Sequence, residues 1–268
     1  MKRLRLFLLL TITIFVAVSC NNNKNKEDNE QAEDLQAKKS LQGIWLDEDT
    51  ETVLFKIQGD SIFYPDSTAI PLKIKVVKDS IYLIGNETTA YKIDKRTNDV
   101  FWFHSMTDDM VKAYKSEDPA DSLYFTRKSQ PISGSGEIIR KDSIIFYQGK
   151  RYHGYVYVNP TKVKVTKTSY TDEGISSESI YYDNYIHICV YDQTNCLFSK
   201  DVKKRDFKGA IPAQFLNSAI LKNMDFTKVS SDGYHFEASL CIPDEASCYL
   251  IEMVINKDGK ITYKDTDD

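Results

Sequence analysis

Asp60-Ser61-Ile62-Phe63, Asp79-Ser80-Ile81-Tyr82, Asp99-Val100-Phe101-Trp102, Asp121-Ser122-Leu123-Tyr124 and Asp142-Ser143-Ile144-Ile145 open alike, at intervals of 19, 20, 22 and 21 residues. In each, Asp favours a turn, the next residue starts an extended segment, and the apolar or aromatic pair that follows prefers a pleated strand. β-rich runs at 52–57, 72–77 and 88–93 precede the first three of these openings. Two strands with their turns occupy about 20 residues, so the interval predicts an antiparallel meander. The pattern is one of hairpins, not of a solenoid repeat.

Outward from the meander, Leu41-Gln42-Gly43-Ile44-Trp45 opens a first domain expected over 41–127. Ser, Gly and Pro concentrate from Lys128 to Gly136, which places a linker at 128–137 and a second domain at 138–268. There, strands are expected near 143–147, 152–158, 162–168, 180–191, 197–199, 226–229, 234–242, 249–255 and 261–263, with hairpin turns at Asp232-Gly233 and Asp258-Gly259. One helix is expected from Pro212 to about Leu221, with Pro in its first turn and Phe215, Leu216, Ala219 and Ile220 on one face. The predicted fold class is mainly β: two antiparallel β domains, a small meander or partial barrel, then a β-rich domain with one packed helix.

Towards the N-terminus, Lys2, Arg3 and Arg5 precede the apolar run Leu6 to Val18, broken only by Thr11 and Thr13. That run suits a secretory signal peptide, 1–19, and falls short of the ~20 apolar residues of a spanning helix. Its end, Ala17-Val18-Ser19-Cys20, resembles the bacterial lipobox. The resemblance implies cleavage before Cys20 and a lipid on its thiol, which would anchor the chain to a bacterial membrane. Ordinary secretion with cleavage near Ser19 is the alternative. Residues 20–40 are rich in Asn and charge, with Leu35 as the one large apolar group after Cys20, and read as a flexible tether with a marginal helix near 27–39. The acids Glu27, Asp28, Glu30, Glu33 and Asp34 resemble the export signal of surface lipoproteins of Bacteroidetes, and equally suit a solvated linker.

Removing 1–19 leaves 32 basic residues against 39 acidic ones, a balance that argues against nucleic acid and against adhesion to anionic lipid by charge. With 41% hydrophobic and 12% aromatic residues, the chain has ample material for a core. Once Cys20 is assigned to lipid, Cys189, Cys196, Cys241 and Cys248 remain, each pair separated by seven and bracketing a turn-like stretch. Of the three connectivities, Cys189–Cys196 and Cys241–Cys248 are favoured.

The search for chemistry yields little. His104, His153, His187 and His235 show no metal-ligand spacing, and the sequence offers no nucleophile elbow, phosphate-binding glycine loop or calcium loop. No catalytic residue, metal or cofactor is therefore expected. His153 alternates with Tyr155 and Tyr157, and His187 with Tyr185 and Cys189, so both pairs of runs are expected on partly exposed sheet faces. Tyr181, Tyr182 and Tyr185 are candidate stacking surfaces for sugars, or strand filling.

Three further resemblances refine these expectations. Gly43-Ile44-Trp45 with its meander resembles the opening of small lipocalin-like domains, which implies a barrel around an apolar interior, with Trp45 in the core. Phe207, the 215–221 segment, the Cys241-Ile242-Pro243 to Cys248-Tyr249 hairpin and Asp258-Gly259-Lys260-Ile261 resemble Bacteroidetes lipoproteins grouped as domain of unknown function 4738. That implies an envelope lipoprotein and no activity. Asp-Ser followed by Ile, Leu or Thr resembles an O-glycosylation acceptor motif of the same phylum, making Ser61, Ser67, Ser80, Ser122 and Ser143 candidate glycan sites. Two functions stay open: an envelope module binding a glycan, lipid or protein partner, and a hydrolase-type enzyme whose site assembles only in three dimensions.

Overall fold

The computed structural model describes residues 32–126 and 136–265; the expected signal peptide, Cys20 and most of the expected tether lie outside them, as do residues 127–135 of the expected linker. In the first half, β1 (Gly43–Asp47), β2 (Val53–Gln58), β3 (Ser61–Phe63), β5 (Leu72–Val77), β6 (Ser80–Ile84), β7 (Thr88–Arg96), β8 (Val100–His104) and β9 (Met110–Lys115) pair in that order, and a short β4 (Ala69–Ile70) lies between β3 and β5 in sequence. β1 also pairs with β9, Trp45 opposite Lys115, so the meander closes into an eight-stranded barrel instead of the expected partial one. Closure leaves this sheet with no edges to protect.

The barrel is solid. Trp45, Phe55, Phe101, Phe103 and Tyr91 fill its axis through ring contacts of 4.8 to 6.3 Å between centroids. One end is sealed by α1 (Leu35–Ser40), capped by Asp34, whose Oδ1 accepts from the amide of Ala37 at 2.8 Å. Ala37 and Leu41 are buried in the barrel core, and the indole of Trp45 donates to the carbonyl of Leu41 at 2.8 Å. Residues 33–40 are thus part of the fold, a correction to the tether expected over 20–40. Asp34 supplies the cap and Ala37 the small buried face that a packed helix needs. The apolar interior with Trp45 in the core, implied by the Gly-x-Trp resemblance, is what the filling shows: Trp45 is fully buried in the barrel core.

The second half is a sandwich. β10 (Ile139–Tyr147), β11 (Lys150–Tyr170), β12 (Ser176–Asp192) and β13 (Asn195–Lys203) form one sheet; β14 (Ile220–Val229), β15 (Tyr234–Cys241), β16 (Cys248–Ile255) and β17 (Ile261–Asp265) form the other. Alternate residues such as Val156, Val158, Ile186 and Ile188 meet Met224, Phe226, Phe236 and Met253 in one core. Gly154 suits this position, because a Cβ there would clash with Cδ1 of Phe226. The expected helix shortens to α2 (Ala213–Ser218), since Ile220 and Leu221 are drawn into β14 opposite Cys241 and Leu240. The opening Asp121-Ser122-Leu123 is not a strand either: Pro119 and the side chain of Asp118, accepting from Ala120, start a 3-10 helix over Pro119–Phe125.

β11 and β12 run well past the sandwich. After a bulge between Pro160 and Lys164 they continue as an arm, paired from Lys164↔Tyr182 to Tyr170↔Ser176, that reaches the barrel's other end. There β4 pairs with β12, Ala69 opposite Ser179. Ile175 at the tip enters the barrel core and is 2% exposed. Glu33 onward forms one compact unit, so the two halves expected as separate domains share a core element.

Candidate functional site

The outer face of the first sandwich sheet carries a continuous set of rings. His153 stands opposite Tyr191, Tyr155 opposite Cys189, and Tyr157 opposite His187, so all six side chains point away from the core occupied by Val156 and Ile188. His153 stacks on Tyr155 at 4.1 Å between centroids, Tyr155 lies parallel to Tyr157 at 6.4 Å, and Tyr191 meets Tyr155 edge-on at 5.8 Å. Each imidazole is held by a neighbouring strand: Asp142 Oδ2 lies 3.1 Å from Nε2 of His153, and Asp201 Oδ1 lies 2.7 Å from Nδ1 of His187. Tyr155 Oη is 2.9 Å from the remaining nitrogen of His153. Ile144 and Phe146 extend the face on β10, Phe146 with 74% of its surface exposed. The result is a shallow, ring-paved surface whose polar groups are already oriented, suited to stacking and hydrogen bonding with a flat ligand.

The four remaining cysteines lie in two different settings. Cys241 and Cys248 are directly opposed across the β15–β16 ladder, Cα atoms 4.1 Å apart, and are bridged. The other expected bridge is absent: Cys189 and Cys196 are free thiols. The physical reason is the tight turn that pairs Asp192 with Asn195, which sets Cys196 opposite Tyr191, two residues from Cys189, whose own partner is Ser199. Burial pushes the Cys189 thiol up from its ordinary pKa, while Cys196 is exposed.

A second polar cluster lies on the other sheet. His235, 3% exposed, places Nε2 2.6 Å from the hydroxyl of Ser230 and 3.0 Å from Asp232 Oδ1, and Nδ1 2.8 Å from Glu252 Oε1. Ser, His and Glu in this order resemble a nucleophile, a base and an orienting acid. Asp232 also accepts from the Ser230 hydroxyl, so a carboxylate occupies the place to which an activated serine proton would otherwise move. The hydroxyl of Ser230 and then His235 hold the Asp232 carboxyl down at about 2. The arrangement is that of a hydrogen-bonded clamp on the β14–β15 turn.

The other sequence candidates are scattered. Ser61 and Ser80 start β3 and β6, Ser67 precedes β4, Ser122 is exposed in the 3-10 helix, and Ser143 lies mid-strand opposite Gly154, where no turn presents it. His104 sits at the barrel's rim, Nδ1 3.0 Å from Asp108. Tyr181, expected as an exposed stacking ring, is instead buried at 8%, its hydroxyl donating to Asp244 Oδ2 at 2.5 Å. Tyr182 and Tyr185 are half-buried. Among the described residues no group of His, Cys, Asp and Glu is placed to hold a metal, and no helix is long and apolar enough to cross a membrane.

The alternation of His153 with Tyr155 and Tyr157 was legible as a face. The pairing that adds Tyr191 and His187 to it needs the β11–β12 register, which no local signal encodes, and the Ser230, His235 and Glu252 cluster spans three strands. A family model described as a domain of unknown function (DUF4738) matches residues 118–263. No curated protein matches the chain.

Proposed function

Because the chain belongs to the DUF4738 family, whose description carries no activity, we propose that it is a Bacteroidetes-type envelope lipoprotein, anchored through a lipid on Cys20, that acts as a non-catalytic binding module. Its lipocalin-like barrel is a solid mount, and its partner, a glycan or a glycan-bearing protein, lies on the face of Tyr155, Tyr157, His153 and His187. The observation that supports this reading is the parallel pair Tyr155 and Tyr157, half-buried on the outer face of the sheet and flanked by carboxylate-held imidazoles. Rings presented this way stack on the apolar faces of sugars or of planar side chains. The test is capture of partners from envelope extracts with the Cys20→Ser chain: Tyr155→Ala with Tyr157→Ala removes capture, while Tyr82→Ala on the barrel leaves it. Undiminished capture by the double variant refutes the assignment. For the anchor, Cys20→Ser moves the chain out of the membrane fraction or leaves its precursor uncleaved; a mature-size variant still in membranes refutes it.

The hydrolase reading is favoured by Ser230, His235 and Glu252 alone. A fluorophosphonate probe that labels wild type but not Ser230→Ala would establish it.

A further inference from the structure

The arm, the barrel rim and the disulfide loop enclose a cleft of about 480 Å³, within the range that holds a small ligand. The barrel contributes Tyr64, Pro65, Asp66 and Thr68 from the segment between β3 and β4. The β15–β16 loop contributes Asp244. The arm contributes one face: its register sets Lys167 opposite Ser179 and Ser169 opposite Ser177, so three serines stand side by side, with Thr171 next in line.

The internal bonds of the cleft are few. Tyr181 donates to Asp244, Lys167 donates to the carbonyl of Pro243 at 2.8 Å and pairs with Glu245 at 3.2 Å, and Thr68 donates to Asp66. None of these engages the hydroxyls of Ser169, Ser177 or Ser179, which are half-buried and line the cleft. Hydroxyls both donate and accept, and therefore match a partner that does the same. Asp66, Glu173 and Asp244 accept only, and Lys167, the one cation in the lining, is already engaged. A ligand matched to this lining offers several hydrogen-bond donors and carries no negative charge.

We propose that this cleft binds a neutral saccharide, its hydroxyl groups bonded to Ser169, Ser177 and Ser179 and to the Oδ1 acceptor of Asp244, whose Oδ2 holds Tyr181. The inference rests on the reading of the chain as a binding module but not on the aromatic sheet face. The two sites are separated by their variants.

The experiment is calorimetric titration of the purified Cys20→Ser chain with four probes: maltohexaose, cellohexaose, trigalacturonate as the anionic counterpart, and hexalysine. Saturable binding of a neutral hexamer, absent for trigalacturonate, is expected. Ser177→Val with Ser179→Val lowers that affinity at least tenfold, and Ser177→Thr with Ser179→Thr restores it, while Tyr155→Ala with Tyr157→Ala leaves it unchanged. Unfolding curves that match wild type exclude collapse of the arm as the cause. Binding of neither hexamer overturns the cleft assignment, as does binding of hexalysine without them. Hexamer binding lost only in the Tyr155 and Tyr157 variant overturns it too, leaving the sheet-face reading intact.

Discussion

The backbone amide of Ser176 donates to the phenol oxygen of Tyr91 at 2.7 Å, joining the tip of an arm that grows from the sandwich to a residue at the heart of the barrel. Around this bond, the hydroxyl of Tyr64 donates to the carbonyl of Ser176 at 2.5 Å, and Thr89 and Ser176 share a hydrogen bond of 2.6 Å. Glu178, buried, accepts from the amide of Asn86 at 2.5 Å, in a turn where Gly85 leaves room that a Cβ would take. Burial drives the Tyr64 hydroxyl far above its ordinary pKa, so it remains a donor throughout the usable range.

Ile175→Ala should therefore destabilise the barrel although it lies outside the barrel's own sequence. Truncating a fully buried isoleucine costs about 2 to 5 kcal/mol. Urea unfolding followed by Trp45 and Trp102 emission, which reports the barrel, and by far-ultraviolet circular dichroism, which reports both halves, should give one coincident transition that shifts as a unit; a dichroism transition separate from that of the barrel tryptophans would show that the tip does not couple them.

The bridge between Cys241 and Cys248 closes a loop of eight residues, worth about 2.5 kcal/mol in the chain-entropy account. Its loss in Cys241→Ser with Cys248→Ser should lower stability by about that much and loosen Asp244 and Pro243 from the arm. Thiol labelling of the native chain should modify Cys196 quickly and Cys189 only on unfolding, since the latter is buried and its pKa is raised. Equal rates at both sites would contradict this placement.

Asp232 gives a pH signature. Its folded pKa of about 2 lies below the ordinary 3.8, so the ionised carboxylate contributes stability that is complete above about pH 5 and is lost as pH falls through 3.8 towards 2. The gap in denaturation midpoint between wild type and Asp232→Asn should be level above about pH 5 and shrink as pH falls from 3.8 towards 2. A gap independent of pH would remove Asp232 from the clamp on His235.

Gly154→Ala places a methyl group against the ring of Phe226, and overpacking of this kind costs about 1 to 3 kcal/mol. Phe226→Leu in the same chain should recover part of the loss. Full additivity of the two losses would mean that ring and methyl do not meet.

The β class and the hairpin rhythm were legible because Asp and the residue after it act locally, and Ser61, Ser80 and Val100 do begin strands. Ser122 failed the same rule where Pro119 imposed a helical turn. Closure of the barrel was not legible, because the pairing of Trp45 with Lys115 joins segments about 70 residues apart and leaves no trace in either. The arm was hidden for a related reason. The runs at 152–158 and 162–168 read as two strands around Pro160, yet a bulge carries one strand through. Of the candidate site, the rings of one strand were visible by alternation, but the cleft draws on three distant segments whose serines are ordinary turn and strand residues by themselves.

The plug of the barrel also sets an order of events. Lys115 ends the last barrel strand, and Ile175 follows about 60 residues later. Wherever the chain emerges N-terminus first, the barrel strands are complete before their stopper arrives. During that interval Tyr64, Tyr91 and Phe103 line an open apolar mouth, so the newborn first half is the stage at which this chain is most vulnerable to aggregation and to proteolysis.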